Sequence, residues 1–189
     1  MGTSASHPSP STINWHAVAR GYERDDIPVE RIAQELWRAA QSEPNANWSA
    51  LLSSPIIATC FDIAVHGDDP VTAVRSATRE IVRTRQSSIA ADIAKHAVLR
   101  SVGATNRAET FVGTLFSEAS NYLVSRDLSS YVGPTFRNQT VAQAIQFKKE
   151  LSGRVAEVVR QAAPVPSTRD PQAWQAYVHR VAVELAGRT

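Results

Sequence analysis

Apolar residues recur every three or four positions along most of this chain, the spacing of helices that bury one face. Residues 13–21 predict a short helix. Pro28 follows the acids Asp25 and Asp26 and suits a first helical turn. From there Val29, Ile32, Ala33, Leu36, Trp37 and Ala40 form a stripe, with Glu30, Arg31, Gln34, Glu35 and Arg38 opposite it. Ser54-Pro55 reads as a cap and a first-turn proline opening Pro55–His66, which is apolar on nearly all sides and therefore a buried helix. Asp69-Pro70 repeats that start, and the pattern predicts one long helix over 71–101. Asn106 caps the next, 107–125. A further helix is expected over 139–163, and a last one after Asp170-Pro171, with Trp174, Tyr177, Val178, Val181 and Leu185 inward and Gly187 just past it.

No segment sustains the alternation of a strand. The expectation is therefore an all-α protein, a single compact bundle of six or seven helices over 13–189. Residues 1–12, rich in Ser and Pro, are expected to be a disordered tail.

The helix over 107–125 is unusual in having two distinct faces. One carries Phe111, Val112, Leu115, Phe116, Ala119, Tyr122 and Leu123. The other is small and uncharged: Gly113, Ser117, Ser120 and Asn121. Small side chains admit a second helix closely, whether from the same fold or from a partner. The segment after it, 125–134, is dense in hydrogen-bonding groups. Gly113, Ser117, Asn121, Arg126, Asp127 and Tyr131 are accordingly the candidate interaction face.

Net charge is only +2, yet it is unevenly placed. Residues 1–70 hold four Arg and nine acids; residues 71–189 hold sixteen Lys and Arg and nine acids. Such asymmetry marks an anionic partner, or two parts of one fold that attract each other. Arg75, Arg79 and Arg83 recur at four-residue steps and make a ridge suited to phosphates, the candidate nucleic-acid surface.

Two near-repeats bear on metal chemistry. Asp62-Ile-Ala-Val-His66 and Asp92-Ile-Ala-Lys-His96 each set an acid four residues before a histidine, on one flank of a helix. Four such groups on two neighbouring helices would suit zinc, manganese or iron. Against this, His66 ends its helix beside a tight turn, whereas His96 lies about 30 Å along the next one at roughly 1.5 Å per residue. Two local pairs are the simpler expectation. Arg85, Asp92 and His96 also fall in or beside the inward stripe of 71–101, where a paired network would be needed.

The remaining signals exclude more than they suggest. The single cysteine, Cys60, rules out an internal disulfide. There is no Walker loop, GxGxxG, GxSxG or HExxH, so no catalytic residue and no cofactor is assigned. The N-terminus has neither the basic nor the apolar region of a secretory signal, and the run Ile56–Val65 is too short to span a bilayer. A cytoplasmic protein without membrane contact is expected. Its expected function is that of a non-enzymatic interaction protein, an adaptor or subunit of a larger assembly that binds a protein partner or itself. Nucleic-acid binding on the Arg ridge is the alternative, and a metal-dependent enzyme on the Asp-His pairs the third reading.

Overall fold

The computed structural model describes residues 10–42, 47–67, 69–84, 89–162, 164–166 and 170–187. Among them are nine α-helices: α1 Pro10–Glu23, α2 Val29–Ser42, α3 Trp48–Leu52, α4 Pro55–His66, α5 Pro70–Arg83, α6 Ile89–Ser101, α7 Arg107–Asp127, α8 Val141–Gln161 and α9 Pro171–Leu185. A 3-10 turn, Leu128–Tyr131, follows α7. No strand occurs among the described residues, only an isolated bridge between Val132 and Asn138. The protein is all-α, as the periodicity implies.

The helix count exceeds six or seven for identifiable reasons. Eight helices have twelve residues or more, and the five-residue α3 is too short to show a period. The single helix expected over 71–101 is two, and α5 and α6 pack against each other as well as against α4. Segments of one straight helix five residues apart would not meet side by side. No Gly or Pro marks the break. Thr84 carries a hydroxyl, a group that competes for backbone partners. Thr84 does this at the end of α5, donating from its hydroxyl to the Ile81 carbonyl at 2.9 Å. At the other end of the chain, α1 begins at Pro10, inside the expected tail; residues 1–9 lie outside the described residues.

Helix starts follow the local chemistry closely. Asp69 accepts from the backbone N–H of Val71 and Thr72 at 3.0 Å, and Asp170 from those of Gln172 and Ala173 at 3.0 Å. Asn106 caps α7 through Glu109 N–H. Thr140 and Gln143 form a reciprocal capping box at the start of α8. Ser54 sits at the cap position of α4, but its hydroxyl bonds no backbone group; Pro55, which has no N–H to satisfy, begins that helix.

α7 runs through the middle of the bundle. Phe111, Val112, Leu115, Phe116, Ala119, Leu123 and Val124 are buried against α2, α4 and α6, and α8 covers part of the opposite side. The indole N–H of Trp37 on α2 donates to Ser120 Oγ at 3.0 Å, and that hydroxyl donates in turn to the Phe116 carbonyl at 2.8 Å. Both groups are buried and both are satisfied. A second aromatic chain joins Phe111, Phe61 of α4, and Trp174 and Tyr177 of α9, with ring centroids 5.2–6.0 Å apart. At Gly21 the absent side chain matters, since a Cβ there would stand 2.6 Å from Ile32 Cγ1 and force α1 off α2.

Trp48–His66 has a mean hydropathy of 1.5 and is long and apolar enough, by composition, to cross a membrane. Here it forms α3 and α4 with a break at Ser53-Ser54, and Leu52, Ile57, Cys60 and Ala64 are fully buried.

Burial pushes the Cys60 thiol up from 9.0 to about 11, and the Tyr177 hydroxyl up from 10.0 to about 12. Both groups are neutral when protonated, so the unfolded chain ionises first as pH rises. Their contribution to stability is complete below pH 9. It falls between pH 9 and 11 for Cys60 and between pH 10 and 12 for Tyr177. A thermal midpoint that declines from pH 9 upward, with the first part of the decline absent in Cys60→Ala, is the expected result. A midpoint flat to pH 11 would contradict it.

Candidate functional site

The small face of α7 is divided between the fold and the solvent. Ser117 donates from its hydroxyl to the Ser152 carbonyl of α8 at 3.1 Å, and Ser152 donates to Asn121 Oδ1 at 2.9 Å. A Cβ on Gly113 would reach Ala156 at 3.9 Å, ordinary contact. The two helices run antiparallel, and small residues on both let them lie close. Gly113 is buried, while Ser117 and Asn121 are half-buried. So the candidate residues Gly113, Ser117 and Asn121 meet α8 of the same chain.

Beyond that seam, the rest of the face is open. It is the floor of a groove of about 600 Å³ between the end of α6, the length of α7 and one flank of α8. Thr110, Gly113, Thr114 and Ser117 make the floor. Arg100 stands on the α6 side; Lys148, Lys149, Ser152, Ala156 and Arg160 stand on the α8 side. The floor is low because its side chains are short, and Arg100, Lys148, Lys149 and Arg160 rise above it as long side chains. Four cations face two carboxylates, Glu109 and Glu118. Lys148, within the stripe of α8, turns outward and donates to Ser125 Oγ at 2.7 Å. Arg100 and Lys149 are exposed and make no ion pair or hydrogen bond among the described residues.

Sequence reasoning had no means of assembling this groove. Arg100, Glu118 and Lys149 lie on three helices and share no spacing. The one legible signal was the small face of α7.

Arg126, Asp127 and Tyr131 lie at the other end of α7, folded onto α1. The Arg126 guanidinium lies 4.1 Å above the Trp15 ring and pairs with Asp127 at 3.2 Å. Tyr131 packs on Tyr22 and Phe136. Burial, then the nearby Asp127 carboxylate, push the Tyr22 hydroxyl far above its ordinary value. These groups are engaged within the chain.

Arg75, Arg79 and Arg83 are all exposed on α5, as a ridge requires; Arg83 is tied to Glu80 at 2.8 Å. Asp62 and His66 form a local pair at 3.2 Å on α4. His96 does not pair with Asp92. Its Nδ1 stands 3.3 Å from Glu118 Oε2 on α7. Asp92 and His96 are exposed rather than inward, because α6 turns Ala90, Ile93, Ala94, Ala97 and Val98 to the core. Arg85 lies outside the described residues. Although α4 and α6 are neighbours, no group of three or more potential metal ligands comes together among the described residues.

No protein-family model, curated protein or solved structure matches the chain.

For the Asp-His residues, the expected outcome of a calorimetric titration with zinc is no stoichiometric binding. One equivalent bound by the wild type, and lost in both Asp62→Ala and His96→Ala, would place the two sequence pairs at a single ion.

Proposed function

We propose that this is a non-enzymatic helical interaction protein, an adaptor or a subunit of a larger assembly, whose partner docks on the flank formed by α6, α7 and α8. One observation carries the reading. Val141 and Ile145 are 68% and 63% exposed, and they lie one turn apart on α8. At 100° per residue they share a flank with Lys148, Lys149, Ser152 and Ala156, which wall the groove. Single exposed aliphatics are ordinary. A pair aligned with a polar groove is the pattern of an apolar anchor beside a polar rim.

Ile145→Glu tests this directly. An exposed substitution of this kind changes stability by only about 0.5 kcal/mol, so the variant should keep its helix content and melting midpoint. Affinity purification from the native host should recover a stoichiometric partner with the wild type and not with the variant, or sedimentation should show a self-association that the variant lacks. Identical behaviour of the two folded proteins in both assays would remove the support for this flank.

A second reading, nucleic-acid binding, is favoured by the α5 ridge, where Arg75, Arg79 and Arg83 are exposed at helical spacing. Replacing all three with Ala should then flatten the slope of log affinity against log salt, by about 0.9 for each duplex phosphate no longer neutralised. Wild-type protein that binds neither duplex nor single-stranded DNA at roughly 50 mM salt, where phosphate binding is strong, would end this reading.

A further inference from the structure

We propose that the groove between α6, α7 and α8 receives an acidic amphipathic helix of a partner protein. Its aliphatic side chains sit against Val141 and Ile145, and its carboxylates face Arg100, Lys148, Lys149 and Arg160. The proposal rests on the interaction reading above and specifies its site and the chemistry of the partner.

Shape is the first argument. A helix can approach a surface closely only where the side chains beneath it are short. The floor offers Gly113, Thr114 and Ser117, flanked by the long side chains of Arg100, Lys148, Lys149 and Arg160. From Val141 to Arg160 the flank of α8 runs roughly 28 Å at about 1.5 Å per residue, some five helical turns. An apolar anchor at one end and a charged track along the rest match a helix that lies lengthwise in a groove.

Charge is the second. Four cations line the groove, and its two carboxylates are unevenly placed. Glu118 is turned to His96, and Glu109 stands at the far end from the aliphatic pair. A helix carries its charges at discrete positions and can present carboxylates to the cations while leaving these two acids facing neutral residues. A continuous phosphate chain has no such freedom and would meet both.

Among the described residues, no aromatic side chain lines the groove. Single-stranded nucleic acid is ordinarily held by stacking its bases on such side chains. The groove lacks that platform, and the aliphatic contact comes from Val141 and Ile145 beside it on α8.

Fluorescence anisotropy on the full chain tests the proposal with defined probes. The first is a labelled helical 19-residue peptide with two Leu one turn apart, followed by Glu at three- and four-residue spacing. The others are that peptide with Gln for Glu, that peptide with Ser for Leu, a single-stranded DNA 20-mer and inorganic tripolyphosphate. The acidic peptide should bind in the micromolar range, with salt-dependent affinity. Removing either its acids or its leucines should weaken binding about tenfold, the effect of roughly 1.4 kcal/mol. Lys148→Glu with Lys149→Glu should do the same, and so should Arg100→Glu with Ile145→Glu, a second pair in case the first does not fold. Arg79→Ala on α5 should bind as wild type does.

No binding of the acidic peptide, equal binding of its Gln form, or indifference to both groove variants overturns the proposal. Tighter binding of the DNA or of tripolyphosphate overturns it as well, and assigns the cations to phosphate. If the peptide fails while a host partner is still retained by the wild type and lost in Ile145→Glu, the occupant is wrong and the interaction reading stands. If neither the peptide nor a partner responds to Ile145→Glu, both fall.

Discussion

Ser120 is the position on which the packing of this bundle turns. It lies at the centre of α7, where the hydroxyl must be buried and must therefore find partners, since an unpaired one would cost about 1–3 kcal/mol. It finds two. It donates to the carbonyl one turn back and accepts from the Trp37 indole. That second bond, together with the contact of the Trp37 and Phe116 rings at 5.4 Å, fixes how α2 crosses α7. A leucine at position 120 would satisfy no indole, and an indole elsewhere on α2 would meet no acceptor. The apolar face of α7 draws the helices together without direction; this one polar pair gives them a register.

The groove follows from what α7 carries on its other side. A helix apolar all round would have been covered all round. Gly113, Thr114 and Ser117 instead allow α8 to lean in over half of the face and leave the other half bare. The partly polar seam between α7 and α8, with Ser117 and Asn121 meeting Ser152, holds α8 at its distance. The same small side chains thus serve two purposes: close packing on the α8 side, and a low floor on the α6 side. That dual use explains why the face reads from sequence as an interaction surface and yet contributes to the core.

Much of the fold was legible because its signals are local. Asp-Pro pairs open α5 and α9, Asn106 opens α7, and each makes the capping bonds its chemistry predicts. The break between α5 and α6 was not legible, because neither Gly nor Pro marks it and the apolar spacing of Val74, Ile81, Val82, Ile89 and Ile93 reads as one stripe across it. The short α3 has too few residues for a period. The site was legible only as far as it lies on one helix. His96 illustrates the limit. Its sequence neighbour Asp92 is the obvious partner at helical spacing, but the acid it meets is Glu118, placed there by the packing of α6 on α7. Arg100, Lys149 and Arg160 converge for the same reason, and no spacing rule relates them.

The unequal charge of the chain acquires a meaning from its ion pairs. If residues 1–70 and 71–189 attracted each other, acids of the first would pair with bases of the second. They do not. Among the described residues, Arg24 pairs with Asp26, Arg38 with Glu35, His66 with Asp62, Arg83 with Glu80, His96 with Glu118, Arg126 with Asp127 and Arg154 with Glu157. Each of these pairs stays within its own part of the chain. Arg137 does cross from the second part to the first, but it bonds the Arg24 and Ile27 carbonyls rather than a carboxylate. Among the described residues, the positive surplus of the second part is therefore not taken up by these ion pairs. It is displayed on α5 and along the groove, where it sets up a field that attracts anionic surfaces before contact and weakens with salt. Exposed aliphatics accompany both, Val71 and Val82 beside the α5 arginines and Val141 and Ile145 beside the groove; the groove differs in its floor of short side chains.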